Sequence, residues 1–238
     1  EYLRKNAKAH PDDIALYFYG TEYTFRQVDE NSEKVANFLR AQGIKKGDAV
    51  GIFAYNSPEH VFVHLGIMKV GALVCPINVL FKELELKYQI NDSGMIALFL
   101  QDEFMPRIEN IRGEIPRVKT FFVANFSDSI PEKPALTVPK ALVTPRMVPP
   151  GCFDLAEILK SGDTTVVPVE IDMDRDPTLI EYTGGTTGMP KGALLSHYAH
   201  LHKPYISALD YGYERGATNC QTTPIYHIAG MHGALACI

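Results

Sequence analysis

Between positions 49 and 124, apolar runs and amphipathic stretches alternate about every twelve residues. Ala49-Val-Gly-Ile-Phe-Ala54 and Ala72-Leu-Val-Cys-Pro-Ile77 are nearly free of polar side chains, so they read as strands covered on both faces. Met95-Ile-Ala-Leu-Phe-Leu100 and Lys119-Thr-Phe-Phe-Val-Ala124 are the next two strands. Helix patterns fill the gaps. Ser57 stands at a cap with Pro58 at the first helical position, and that helix runs to about Val70 and stops at Gly71. Lys82 to Asn91 predicts another helix, closed by Gly94, and Asp102 to Arg112 a weaker one, interrupted at Pro106. This alternation predicts an α/β fold of mainly parallel sheets flanked by helices.

Ahead of this stretch, Tyr2 to Ala9 reads as a short helix, Ile14 to Tyr19 as a strand and Gly20-Thr21-Glu22 as a hairpin turn. Thr24 and Gln27 form a capping-box pair, and the helix they open places Phe25, Val28, Val35, Phe38 and Leu39 on one stripe. Residues 1–124 therefore make one αβ layer. Residues 125–152 carry six prolines and little periodicity, which predicts a long surface connection. In residues 153–238, Phe153 to Lys160 reads as a helix, and Thr164 to Ile171 contains a strand. Gly192 to Leu195 is a further strand, and Ser196 caps a helix that Pro204 kinks or interrupts. Thr218 to Thr223 is the last strand, followed by a loop over Pro224 to Gly230.

The chemistry concentrates in one part of this second segment. Thr178-Leu-Ile-Glu-Tyr182 leads into Thr183-Gly-Gly-Thr-Thr-Gly188-Met-Pro-Lys191-Gly192, and Ala193-Leu-Leu-Ser196 leads out. Glycines allow φ > 0 and bring backbone N–H groups close to a ligand. Threonine hydroxyls add donors for anionic oxygens, and Lys191 adds a mobile point charge. The composition predicts a phosphate-binding loop. It is not a P-loop, since Lys191 lies between Pro190 and Gly192 rather than before a Ser or Thr. Nor does Gly184-Gly185-Thr-Thr-Gly188 have the first spacing of the dinucleotide fingerprint.

Tyr182-Thr-Gly-Gly-Thr-Thr-Gly-Met-Pro-Lys-Gly192 resembles, almost letter for letter, the signature loop of adenylate-forming enzymes. That superfamily comprises acyl-CoA synthetases, firefly luciferases and the adenylation domains of peptide synthetases. Lys69 to Asn78 looks like the family's early Gly-Ala…Pro segment, and Glu85 to Gly94 like a stretch typical of fatty acyl-CoA synthetases. Thr223-Pro-Ile-Tyr-His-Ile-Ala-Gly230 resembles the family's second core motif in its acyl-CoA synthetase form. The likeness covers essentially the whole chain, in the expected order. It implies part of the N-terminal domain of a medium- or long-chain fatty acyl-CoA synthetase.

In that family a carboxylate attacks the α-phosphorus of ATP, giving acyl-AMP and pyrophosphate, and the acyl group then passes to the thiol of CoA. The resemblance implies that Thr183, Gly184, Gly185, Thr186, Thr187 and Gly188 hold the β- and γ-phosphates, with Lys191 as a balancing charge. It puts His227 beside the α-phosphate and the incoming carboxylate, and Ala229 to Ile238 along one wall of the acyl pocket. The Mg²⁺ ligand and the adenine and ribose contacts are expected beyond Ile238. The expectation is therefore that the parent enzyme is active and this fragment is not. An aryl-CoA ligase, an amino-acid adenylation domain and a non-catalytic nucleotide- or phosphate-binding module are the alternatives.

Composition narrows the setting. The 238 residues are 46% hydrophobic and 21% charged with a formal charge of −5, which gives no support for nucleic-acid binding. No run of eighteen apolar residues is present, and the first residues are charged and unlike a signal peptide. Cys75, Cys152, Cys220 and Cys237 are scattered without Cys-x-x-Cys spacing, which predicts free thiols in a reducing cytoplasm. His60 and His64 lie four apart on a helix but have no third metal ligand nearby in sequence. His197, His200 and His202 spread around their helix rather than along one face. Without an initiating Met, and with an apolar run at its end, the chain reads as a fragment. A sheet cut in mid-domain would leave an edge that invites a homo-oligomer.

Overall fold

The apolar runs at 49–124 become the centre of a seven-stranded sheet. The computed structural model describes residues 2–183 and 189–238. Strands β1 (Ile14–Phe18) and β2 (Thr21–Thr24) form a separate antiparallel hairpin after helix α1 (Tyr2–Ala9). Helix α2 (Phe25–Ala41) opens on the expected capping box: Thr24 Oγ1 accepts from the Gln27 N–H and Gln27 Oε1 from the Thr24 N–H. Then β3 (Ala49–Phe53), α3 (Pro58–Val70), β4 (Leu73–Pro76), α4 (Glu83–Asp92), β5 (Ala97–Gln101), α5 (Met105–Ile111) and β6 (Thr120–Ala124) alternate as predicted. The second segment supplies β7 (Phe153–Asp154), α6 (Leu155–Ser161), β8 (Pro177–Thr183), β9 (Lys191–Ser196), α7 (His197–Asp210) and α8 (Ile228–Leu235).

The strand order is β7-β6-β5-β3-β4-β8-β9. All neighbours are parallel except β8 and β9, which pair antiparallel with Thr183 opposite Lys191. Every residue of β3, β4, β5 and β6 is buried, as near-continuous apolar runs require. One face packs Val50, Ile52, Phe99 and Phe122 against Val35, Leu39, Phe62 and Ile67 from α2 and α3. The other packs Phe53, Leu98 and Leu100 against Leu86, Ile90 and Ile108 from α4 and α5. Full burial of each such side chain contributes about 1.5–3 kcal/mol. The sheet is thus a rigid platform with helices on both faces.

Six local expectations are corrected. Pro106 does not interrupt a helix; after a 3₁₀ turn at Asp102–Phe104 it sits in the first turn of α5, where no intrahelical N–H is needed. Phe153 and Asp154 are a short strand beside β6, and the helix begins only at Leu155, with Asp154 as its cap. Thr164 to Ile171 forms no strand: its neighbourhood is held by side chains instead of a ladder. Asn37 donates to the Asp163 and Thr165 carbonyls, Arg40 to that of Val167 and Lys46 to that of Glu170. Thr218 to Thr223 likewise forms no strand, and Ile228 to Gly230 are helical rather than loop. Pro204 is buried inside α7, which continues to Asp210. The connection at 125–152 is mostly irregular, as expected, and is fastened to the domain. Ala135 N–H donates to the Tyr19 carbonyl at 2.7 Å, and Arg146 pairs with Asp128 and Asp154.

Candidate active site

In an open parallel sheet, ligands gather at the carboxyl ends of the strands. Strands β3, β4 and β8 are mutually parallel, so their last residues, Phe53, Pro76 and Thr183, share one edge. Asn56 lies there, just after β3. Its Nδ2 donates to the carbonyls of Thr223 (3.0 Å) and Gln221 (3.3 Å), and its Oδ1 accepts from the Ile225 N–H at 2.8 Å. One amide thus fastens residues 221–225 to the sheet. Ile225 is buried beneath them with Val61 and Met231.

His227 follows that fastened segment and caps α8. Its Nδ1 accepts from the Ala229 N–H at 3.3 Å, and the side chain is otherwise exposed. A neutral imidazole accepting at Nδ1 carries its proton on Nε2, so His227 presents an N–H donor outward. The next N–H of α8, that of Ile228, donates to Glu181 Oε1 at 3.2 Å. Glu181 stands on β8, two residues before the Gly–Thr segment. Its Oε2 is buried and has no partner among the described residues. Burial raises its pKa to about 7, partly countered by the Ile228 N–H.

Thr183 is exposed at the end of β8, and its Oγ1 donates weakly to the Lys191 carbonyl at 3.4 Å. Lys191 is exposed at the start of β9, and among the described residues it forms no ion pair. Gly184, Gly185, Thr186, Thr187 and Gly188, the other predicted phosphate-holding residues, lie outside the described residues. Gly192 is fixed by its neighbours: a Cβ there would come within 2.9 Å of Ile180 Cγ2 and 3.0 Å of Tyr182 Cζ. Tyr182 in turn donates to Asp92 Oδ2 at 2.7 Å, and burial, with Asp92 beside it, holds its phenol protonated.

The structure therefore brings Thr183, Lys191 and His227 to neighbouring elements at one edge. It adds Glu181 and Asn56, which the sequence reading missed. A lone Glu in an apolar strand and an Asn before Ser-Pro gave only local signals, those of strand alternation and a turn. Of the expected acyl-pocket wall, Gly230 and Met231 are buried, whereas Ala234 and Ile238 line a groove of about 1700 Å³ with Tyr55, Asn56, Tyr213 and Ile225. The histidines form a different unit. His64 Nε2 lies 3.2 Å from His200 Nε2, and His200 Nδ1 lies 3.3 Å from His232 Nε2, while His202 stacks on Tyr198. Among the described residues no group of three His, Cys, Asp or Glu side chains could hold a metal ion.

A family model described as AMP-binding enzyme matches residues 3–238. The chain belongs to that family. Among curated members, the long-chain-fatty-acid–CoA ligase of Bacillus subtilis (strain 168) is 28% identical over 239 residues, covering 96% of this chain and 42% of its own length. The chain thus spans less than half the length of that relative. The crystal structure of an anthranilate CoA ligase in complex with anthranoyl-AMP is 28% identical, with a TM-score of 0.74 over 87% of this chain and 36% of that one. A long-chain-fatty-acid–CoA ligase from Archaeoglobus fulgidus, at 22% identity, shares the fold with a TM-score of 0.79 over 98% of this chain and 43% of that one. Among the described residues, no helix is long and apolar enough to cross a membrane.

Proposed function

We propose that the protein to which these residues belong activates a carboxylic acid, of the fatty-acid class, with ATP and transfers the acyl group to CoA. In the first half-reaction a carboxylate oxygen bonds to the α-phosphorus of ATP, and the bond to the bridging β-phosphate oxygen breaks, releasing pyrophosphate. In the second, the CoA thiol, losing its proton, attacks the acyl carbonyl and AMP leaves. The observation that carries this reading is the placement of His227 beside the strand that delivers Thr183, through the 3.2 Å contact of Ile228 N–H with Glu181.

Phosphoryl transfer depends mainly on positioning and charge neutralisation. In this reading Thr183, Gly184, Gly185, Thr186, Thr187, Gly188 and the Lys191 ammonium hold the β- and γ-phosphates. The Nε2–H of His227 donates to the α-phosphate or to the entering carboxylate. An exposed lysine free of any ion pair among the described residues fits an anionic ligand, and its charge need not be withdrawn from a structural partner. Mg²⁺, bound with the nucleotide, would add charge neutralisation at its phosphates. Four free cysteines support a reducing compartment as the setting.

The test is a panel of acids presented with ATP and hydroxylamine, with acyl hydroxamate and pyrophosphate measured together. Fatty acids of medium or long chain are expected to give both products. Preferential trapping of an aryl acid would move the reading to an aryl-CoA ligase, which the 28% identity to the anthranilate CoA ligase favours as the second choice. The 238 residues alone are proposed to be inactive, because the relatives carry more than half their length elsewhere. Pyrophosphate release by this chain alone would overturn that.

A further inference from the structure

Glu181 is a half-buried residue whose buried carboxylate oxygen, Oε2, the adenylation reading does not use. It shares the face of β8 that carries Leu179, while Ile180 and Tyr182 turn to the opposite core. Leu179 and Ile228 pack in the same cluster, so the base of α8 lies over this face. The carboxylate of Glu181 meets α8 at its N-terminal turn, where unpaired N–H groups point outward and negative charge is favoured. Two consecutive N–H groups of that turn are then accounted for: Ile228 by Glu181 and Ala229 by the His227 ring itself.

We propose that Glu181 is a positioning residue that grips the Ile228 N–H and thereby sets His227 relative to the strand carrying Thr183. Its buried, unpartnered Oε2 makes the grip dependent on one proton. Ionised, Glu181 is a strong acceptor for a helix N-terminus; protonated, it accepts less strongly and the contact loosens. No neighbouring charge holds it in one state. Around it β9 presents Lys191, α7 presents His197 and His200, and α8 presents His227 and His232, while Cys75 of β4 and Tyr182 lie on the opposite face. None of these hydrogen-bonds to Glu181 among the described residues. The carboxyl ionises near neutrality, where burial has lifted it to about 7, so the grip tightens as pH rises through that value.

The proposal rests on the adenylation reading only for what His227 is positioned to do; the contact itself is measurable without substrate. The 238-residue chain is labelled with ¹³C and ¹⁵N. The Glu181 carboxyl and the Ile228 amide are followed by NMR from pH 5.5 to 8.5. Both are expected to shift with one midpoint near 7. In Glu181→Ala the step at the Ile228 amide disappears and its protection factor falls about tenfold, the loss expected for a charged acceptor worth at least ~1.4 kcal/mol. Glu181→Gln, which keeps an acceptor of the same shape, restores protection but not the pH step. Its close match in volume guards against a fold lost in the Ala variant. Unrelated midpoints for Glu181 and Ile228, or an Ile228 pH step of unchanged midpoint and size in Glu181→Gln, would overturn the proposal. Either outcome is independent of whether the protein adenylates an acid.

Discussion

At Gly230 an added Cβ would stand 2.1 Å from the Pro224 carbonyl oxygen and 2.9 Å from that of Thr223, both backbone atoms that cannot swing aside. The motif glycine is therefore a close-approach residue that lets α8 sit on the segment fastened by Asn56. Gly230→Ala is expected to cost about 1–3 kcal/mol, the usual range for overpacking, read as a lower urea midpoint at unchanged slope. Lys191→Ala should behave oppositely. Lys191 is exposed, so stability should stay within about 0.5 kcal/mol. In the intact enzyme the same change should slow acyl-adenylate formation at least tenfold while acid binding is little altered, measured by single-turnover pyrophosphate release. If neither rate nor binding moves, the lysine has no part in holding phosphate. Residue by residue, Lys191 and His227 could be singled out as candidates because their types and spacing form a local pattern that points to phosphate chemistry. Glu181 and Asn56 were not, because each role depends on a backbone group about 47 and 169 positions away, and no local pattern encodes that distance.

At the scale of elements, the buried strands and the caps were legible, since apolar runs and Thr24, Ser57 and Ser196 act locally. The errors came where a local signal met a distant partner. Residues 164–171 have strand-like composition, but side chains from α2 and Lys46 take the nearby carbonyls. Pro204 should weaken a helix, yet α7 runs through it with that proline buried. The same helix carries His200, which joins His64 of α3 to His232 of α8. Each N–H···N contact needs one donor and one acceptor, so three neutral rings can form the run with all protons pointing the same way. Burial depresses all three pKa values, that of His200 to about 3. Unfolded imidazoles take up protons near pH 6.5. Below that pH the unfolded state binds more protons than the folded one, so the contribution is complete above about 6.5 and is lost as pH falls toward 3. His200→Asn should be less stable at pH 8 but lose stability less steeply between pH 6.5 and 4, by about one proton in the slope. Urea unfolding across that range checks it, and an unchanged slope would show that His200 is not held neutral by the fold.

For the whole molecule, the sheet has two ends of different character. At one end β7 is only two residues long and offers little to a partner. At the other, β9 pairs with β8 on one side and has no strand on its far side among the described residues. It runs six residues without proline, its only charged residue is Lys191 at the start, and Leu194 is 64% exposed. Natural edge strands are usually blunted by inward charge, proline, bulges or shortness, and the outer half of β9 has none of these. The adjoining helix adds exposed Tyr198, Tyr205 and Leu209. A second copy can extend the sheet by pairing β9 with β9, an isologous contact that closes as a dimer. The 238-residue chain is therefore expected to show a weight-average mass that rises from monomer to dimer with concentration in sedimentation equilibrium. Leu194→Lys puts a charge in the middle of the edge and should keep the chain monomeric, while thermal stability changes by no more than about 0.5 kcal/mol. A dimer that persists in Leu194→Lys would place the association on another surface.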